Sequence, residues 1–404
     1  MKPSLLLFLF LSVPALMHSC AEADLPDKKL EEKKQEVPVP ESGSEVIEPI
    51  ILPAGKGALD PRFALSAALS PDIIFSKGTQ LYKKGNIMQG FDFTDDTHFY
   101  YSQSPSNSIC QYVSFVPGRS SKYSSYMTLE RFGHMTQIVA EKASDGKTYI
   151  WCNSNGQSCS EGYGENLSFS RIEYKAGGKY LYGYGGDTYI LSTKHSSGKP
   201  YYDLQVSIDF KYRRLLLGCR VSGVSARFHF VYDLDEVLSL PEKDVTLTVT
   251  YGSNSSISDD LTTSTKDTRT FKARDLADAT LLGCFEIPRG GNDSQTYFYS
   301  HQGHHVYGDF IWFYEGNVLD NNYASVAYIT VYDYKGNVVI PRTGVSALKD
   351  KKAFIDNAFT YDGYAEGESM KILDDKLYLG FACHGSASSG NRIQNILVYD
   401  LTKK

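Results

Sequence analysis

An all-β chain closed into a five-bladed β-propeller is what the sequence predicts, and three observations predict it. A two-strand signal recurs five times, each second strand ending at or near a tyrosine. One of these units, S-H-Q-G-H-H-V-Y-G-D-F-I-W-F-Y-E-G-N at 300–317, repeats in looser form M-Q-G-F-D-F-T-D-D-T-H-F-Y-Y-S-Q at 88–103. Helical periodicity is nearly absent: only 234–240 and 271–282 read as a turn or two of helix, and the rest alternates or is glycine-rich.

The first strand of each unit is T-H-F-Y-Y-S at Thr97, T-Y-I-W-C-N at Thr148, R-L-L-L-G-C at Arg214, F-I-W-F-Y-E at Phe310 and L-Y-L-G-F-A at Leu377. The partner strands carry Tyr112, Tyr174, Tyr232, Tyr332 and Tyr399, spaced by 62, 58, 100 and 67 residues. The long interval contains a polar insertion at about 246–270, rich in Ser, Thr, Asp and Asn. Without it the repeat is regular, longer than the ~40 to 50 residues of common propeller blades. Antiparallel hairpins without a long free edge must close on themselves, and radial closure does this. Six or seven blades, or a β-sandwich, are the alternatives.

The chain begins with Lys2, an apolar run at 5–11 and a stretch ending in Ser19-Cys20, which reads as a secretory signal over 1–19. Its end resembles the lipobox of bacterial lipoproteins, which implies cleavage before Cys20 and lipidation of that thiol. Met17 and His18 depart from the strictest form of the box. Residues 20–58 mix charge and proline with little to bury and read as a disordered tether. The remaining 59–404 is the propeller domain. The expected location is therefore the bacterial cell envelope, lipid-anchored at the outer membrane or cell surface.

A formal charge of -6 and a pI near 5.9 argue against a nucleic-acid partner, which requires a concentrated basic face. Tyrosine outnumbers tryptophan 30 to 2, and tyrosine suits both half-exposed sheets and the apolar faces of sugars. No zinc-type cysteine pairing, metal-protease helix, nucleophile elbow or dinucleotide fingerprint is present, so no metal or cofactor is expected. Cys152 and Cys159 bracket a polar loop, where a local bridge and two free thiols are both open readings; Cys219 and Cys383 sit in apolar runs and read as buried. The D-G-K-T at Asp145 is a turn leading into a strand, and Asp92, Asp95 and Asp96 read as turn residues in preference to calcium ligands.

The candidate site is a ring. Gln89, His134, Gln205, Gln302 and Glu366 each precede a first strand, on the segment that forms the innermost strand of a propeller blade, so they are expected around one mouth of the central channel. His304 and His305 alternate in direction, so one of them joins the ring. Tyr180, Tyr182 and Tyr184, in a glycine-rich stretch, are candidate sugar-stacking residues or covers for neighbouring strands. A ring that only binds channel water and stabilises closure is the competing structural role.

Q-G-F-D-F with Y-Y-S-Q, R-F-G-H-M-T-Q-I-V-A-E with K-T-Y-I-W, and H-Q-G-H-H with F-I-W-F-Y-E-G-N resemble the propeller family that includes helveticin J bacteriocins and teichoic acid biosynthesis protein C. A phage receptor-binding propeller belongs with that group. The resemblance spans about 85–401 and implies a five-bladed propeller that meets cell-surface polymers. The signal segment and the serine-rich insertion depart from it and stand against a bacteriocin role. The expected function is noncatalytic binding of a cell-surface or extracellular polysaccharide. One alternative is a polysaccharide lyase, in which His134 or His304 and a tyrosine move the proton beside a uronate while Arg220 or Lys211 neutralises its carboxylate. A protein-binding envelope scaffold is the other, and it requires a flat apolar face.

Overall fold

The computed structural model describes residues 72–73, 82, 86–95, 98–104, 111–118, 122–157, 165–181, 187–250, 266–318, 325–345, 355–356, 359–387 and 392–401. The signal and tether, Cys20, Asp96, Cys110, Cys159, Tyr182 and Tyr184 lie outside them.

Five antiparallel sheets follow one another along the chain. After β1 (Asp72–Ile73), blade I is built from β2 (Met88–Asp95), β3 (His98–Gln103), β4 (Gln111–Pro117) and β5 (Ser125–Glu130). Blade II comprises β6 (Val139–Lys142), β7 (Thr148–Gln157), β8 (Glu165–Glu173) and β10 (Asp187–Ile190), while the short β9 (Lys179–Leu181) adds in parallel to the outer edge of blade I. Blade III holds β11 (Tyr201–Asp209), β12 (Arg214–Val221), β13 (Val224–Asp233) and, after an excursion, β16 (Leu281–Pro288). That excursion is α1 (Leu234–Ser239) followed by the hairpin β14 (Lys243–Thr250) and β15 (Lys266–Asp275). Blade IV is β17 (Ser300–Tyr307), β18 (Phe310–Val318), β19 (Ser325–Tyr332) and β20 (Val338–Gly344). Blade V is β21 (Ala365–Leu373), β22 (Lys376–His384) and β23 (Arg392–Asp400), completed by β1 from the other end of the chain.

The innermost strands β2, β6, β11, β17 and β21 pack in a closed circuit, with β21 meeting β2. Pairing of Asp72 and Ile73 with Val398 and Leu397 locks first segment to last. A sheet in this circuit is covered on both faces by its neighbours, which is why second strands such as R-L-L-L-G-C are almost continuously buried instead of alternating. Each gap between blades holds its own apolar cluster: Phe132, Ile150 and Ile172 between I and II, Trp151, Leu217 and Phe230 between II and III, Ile287, Ile311 and Phe313 between III and IV, Tyr314, Leu379 and Phe381 between IV and V, and Phe91, Phe99 and Tyr378 between V and I.

The strand register tests the tyrosine repeat. Tyr232, Tyr332 and Tyr399 all lie on third strands opposite the second residue of the strand before, Leu215, Ile311 and Leu377. Tyr174 is one residue beyond β8, since Glu173 takes that position opposite Tyr149. Tyr112 is on the right strand but at its other end, opposite Gln103; Val116 opposite Phe99 is the true counterpart. The polar insertion is not a loose loop at its base. Its two sides form the β14–β15 hairpin, and β15 pairs in parallel with β10, extending blade II outward. The helical expectation holds for α1, which Asp233 caps by accepting from the Asp235 and Glu236 amides. It fails for 271–282: strand β15 runs through Asp275, and only a 3₁₀ turn at Leu276–Asp278 follows. Cross-strand pairing along the whole hairpin outweighs the local pattern there.

Candidate functional site

All five innermost strands start at one end of the ring, here called the upper mouth, and run to turns at the lower end. Near the start of β2, β11, β17 and β21 the ladder is interrupted by a β-bulge. A bulge re-aims side chains and slips the register, and this decides where the expected ring residues fall. Gln89 and Gln302 occupy the same bulge position in blades I and IV. In blade V the bulge is at Glu368-Ser369, so Glu368 and not Glu366 is their counterpart. In blade II, Ala140 pairs with Ile150 as Asp92 does with Tyr100, so Gln137 is the equivalent residue and His134 lies in the segment before the strand. The Gln137 signal was present in T-Q-I-V-A, which parallels Q-G-F-D-F.

The ring therefore divides into two polar clusters. The first lies where blades I to IV meet. His134 Nε2 bonds Gln89 Oε1 at 2.5 Å, and Gln137 donates from Nε2 to the His304 carbonyl at 2.7 Å. His304 Nε2 lies 3.2 Å from the Gln205 carbonyl, which can only accept, so this nitrogen carries the proton. Its Nδ1 then accepts from His301 Nε2 at 3.1 Å, leaving His301 Nδ1 as a buried acceptor with no partner among the described residues. His229 packs edge-on to His304 with ring centroids 5.4 Å apart, and neither of its nitrogens has a partner there. Gly218 supplies the space for His304, since a Cβ would stand 2.3 Å from its Cε1. Arg227 is buried against Asp203 at 3.3 Å, and Gln205 donates to the same carboxylate at 3.1 Å.

Burial holds these imidazoles neutral. It lowers His134 to about 4, with Asp203 pulling the other way, and lowers His304 to about 3 with help from Arg227. His229 and His301 are pushed well below the usual value by burial, His229 next by His304 and His301 next by Arg227. The cluster is thus a set of uncharged donors and acceptors, suited to hydroxyl groups.

The second cluster, on blade V, was not legible as a unit. The Tyr364 ring stacks on His384 at 4.1 Å with an interplanar angle of 11°, and the Arg392 guanidinium lies 4.6 Å from the Tyr364 centroid. Tyr364 donates its hydroxyl to Glu366 Oε2 at 2.6 Å, and Asp362 accepts from His384 Nδ1 at 2.8 Å. A histidine, a tyrosine and an arginine do converge, but they are not the ones expected for proton abstraction. Burial and Glu366 drive the Tyr364 hydroxyl upward, the wrong direction for a base.

Other expected site residues fall elsewhere. Gln302 turns back to the Gly316 carbonyl at 3.1 Å, on the side facing blade V. His305 bonds Ser207 nearer the axis. Tyr180 is on β9 at the outer rim, donating to the Glu173 carbonyl at 2.9 Å, so it covers a strand edge and does not reach the mouth. Lys211 is in the lower turn beside Asp375, far along the blade from His134 and His304, whereas Arg220 is at the upper end near His301. Asp92 is not a turn residue: it is fully buried and paired with Lys371 at 2.9 Å. Asp95 does sit at the hairpin end, bonded to His98 at 2.8 Å, and Asp145 caps its turn through the Lys147 amide. Cys219 and Cys383 are buried as expected, and Cys152 is a buried free thiol. No group of metal-binding side chains occurs among the described residues.

Two large side chains that sequence reading passed over stand exposed just before the innermost strands of adjacent blades: Phe298, 51% exposed, and Tyr361, 56% exposed. Both lie in aromatic runs, T-Y-F-Y-S and T-Y-D-G-Y, immediately ahead of β17 and β21.

No family model and no curated protein matches the chain. Among solved structures it is similar to the α-L-arabinofuranosidase PaAbf62A of Podospora anserina, solved with cellotriose, at 8% identity and a TM-score of 0.35, over 83% of this chain and 94% of that one. The catalytic domain of the GH62 α-L-arabinofuranosidase of Coprinopsis cinerea gives 8% and 0.35 over 83% and 95%. The polysaccharide lyase Uly1 gives 9% and 0.32 over 84% and 95%. Likenesses this loose fix no chemistry.

Proposed function

We propose that this protein is a noncatalytic propeller of the cell envelope, lipid-anchored through Cys20, that binds a polysaccharide at its upper mouth. Membership in the helveticin J and teichoic acid biosynthesis protein C group is part of this reading. The observation that carries it is the pairing, at one end of the ring, of buried neutral imidazoles and amides having unpartnered atoms with the exposed rings of Phe298 and Tyr361. Sugars are bound by this combination, hydroxyls by directional hydrogen bonds and apolar ring faces by aromatics. A protein scaffold requires a broad apolar face instead.

Glycan-array binding checks the mouth. Tyr361→Ala and Phe298→Ala are expected to weaken retention by about 1 to 2 kcal/mol each, as for loss of an aromatic platform, with no change in melting temperature because both rings are solvent-facing. Release of an unsaturated uronate, seen by ultraviolet absorbance, would overturn the noncatalytic part. Cys20→Ala should move the protein from membrane to soluble fractions, since the lipid supplies the membrane affinity; unchanged retention would refute the anchor.

A further inference from the structure

Phe298 is the inner end of a row of three aromatic rings. It meets Tyr299 edge-on with centroids 5.1 Å apart, and Tyr299 lies parallel to Tyr328, 5.7 Å away with an interplanar angle of 4°. Tyr299 and Tyr328 are both partly exposed. Phe298 and Tyr299 immediately precede the innermost strand β17, whereas Tyr328 is on β19, two strands farther from the axis. The row therefore leads outward from the upper mouth across blade IV. It is on the side that looks toward blade III, since Tyr328 pairs with Glu315, and Glu315 shares a face of β18 with Phe313 of the cluster between those blades.

A buried ion pair mounts these rings. Glu315 is 1% exposed; its Oε2 accepts from the amides of Phe298 and Tyr299, each at 3.0 Å, and its Oε1 accepts from Arg342 Nε. The Arg342 side chain is 8% exposed, and its guanidinium carbon lies 3.5 Å from the Tyr328 centroid. One carboxylate thus fixes the backbone under two of the rings, and its partner braces the third. The Arg342 amide donates to Ser294 Oγ at 2.6 Å, which ties β20 to the segment before β17. A buried ion pair adds little stability over an apolar pair of the same volume. What this one supplies is position: an exposed phenylalanine outside any strand is held to one backbone geometry, and rings fixed in advance lose less freedom when they bind.

We infer that Phe298, Tyr299 and Tyr328 form a stacking platform for the pyranose units that follow the one at the mouth, and that Glu315 and Arg342 are its positioning residues. On the polysaccharide reading above, on which this rests, the bound chain has a path: outward over blade IV on the side of blade III. The chemistry of the occupant follows from the rings. Their faces take the C–H faces of sugars, and the hydroxyls of Tyr299 and Tyr328, which have no hydrogen-bond partner among the described residues, can pair with sugar hydroxyls. The Arg342 charge is met by Glu315, so the platform selects no charged group. A protein partner fits less well: three partly exposed rings offer on the order of 300 Å², against about 800 Å² per partner at a stable protein interface.

Affinity of the full-length protein is measured first on xylan, mannan and β-glucan, then on oligosaccharides of increasing length cut from the polymer it retains. Wild-type affinity is expected to keep rising after the mouth is filled. Tyr299→Ala and Tyr328→Ala should each lower affinity about fivefold for long oligosaccharides, the size of one aromatic contact, and progressively less for shorter ones. Arg342→Lys keeps a cation opposite Glu315 but gives up the planar face against Tyr328, so it should reproduce the same length-dependent loss. Should Tyr328→Ala fold poorly, Tyr299→Ala, whose ring is partly exposed, decides alone. A loss uniform in length, or wild-type affinity for long oligosaccharides in the alanine variants, overturns the platform, and wild-type behaviour of Arg342→Lys overturns its positioning role. Each of these leaves binding at the mouth intact. Failure of wild type to retain any of the three polymers would instead count against the polysaccharide reading itself.

Discussion

Between pH 7 and pH 5 the protein is expected to lose about 5 kcal/mol of stability, enough to bring a domain of ordinary stability to the edge of unfolding. Among the described residues His229, His301, His304 and His305 are buried imidazoles with depressed values, and His134 is a fifth, partly buried one. All five are held below the ordinary value, chiefly by burial; Lys371 adds to the effect at His305. A histidine whose folded value is depressed stays neutral in the folded state while the unfolded chain takes up a proton. Its contribution is complete above the unfolded value near 6.5 and is lost as pH falls from there toward the folded value, about 4 for His134 and about 3 for His304. At pH 5 each group has cost about 2 kcal/mol. Glu368 works in the opposite sense, since a carboxyl held protonated by burial favours the folded state as pH falls, and returns up to about 3 kcal/mol. Asp92 and Asp209 are also raised by burial, but Lys371 and then amide donors limit the shift at Asp92, and amide donors limit it at Asp209, so they return less. Calorimetry from pH 7.5 to 5 should show a steep fall in melting temperature below pH 6.5, shallower in His304→Gln. A flat profile would mean that these imidazoles are solvated.

The repeat was legible because blades are local: a hairpin's alternation and its turn are read from one stretch of chain, and five of them gave the ring. What the chain could not show is register. Gln89 and Gln302 were correctly matched, but a one- or two-residue bulge moves the matching position to Glu368 in blade V, and an irregular segment before β6 moves it from His134 to Gln137. The row of Glu366, Ala382 and Gln394 joins three strands, and no sequence spacing announces that an alanine has a glutamate on one side and an unpaired amide on the other. Tyr180 failed for a related reason. Glycine-rich tyrosine runs look alike at a mouth and at an edge, and β9 went to the outer edge because β5 had an unfilled side.

Lys371→Met is expected to destabilise the protein by about 3 to 5 kcal/mol at pH 7, the cost of leaving a buried charge without its partner. The side chain reaches across the junction of blades V and I, from β21 to Asp92 on the neighbouring β2 at 2.9 Å, and both groups are buried. Asp92 also accepts from the Ala140 amide of blade II at 2.8 Å and from the Phe93 amide at 2.7 Å, so one carboxylate ties three innermost strands. On the other side of the axis His305 bonds Ser207 Oγ at 2.9 Å and the backbone of Ile372, which joins blades III, IV and V at the same level. Ala140, Asp92, Ser207, His305 and Lys371 are register equivalents, and together they replace an apolar axis with a polar girdle. Burial already pushes the Asp92 carboxyl up, with the Lys371 ammonium as the largest opposing influence. Without that ammonium the folded value rises further. A raised carboxyl is fully accommodated below its unfolded value and becomes a burden as pH rises through its folded value, so the deficit of Lys371→Met should be greatest at neutral pH and shrink toward pH 4. Asp92→Asn combined with Lys371→Met removes both charges and should recover most of the loss, because a buried ion pair replaced as a unit is close to neutral. Denaturant unfolding of the two variants beside wild type measures this directly. Equal losses in the single and double variants would show that the girdle acts through packing and not through charge.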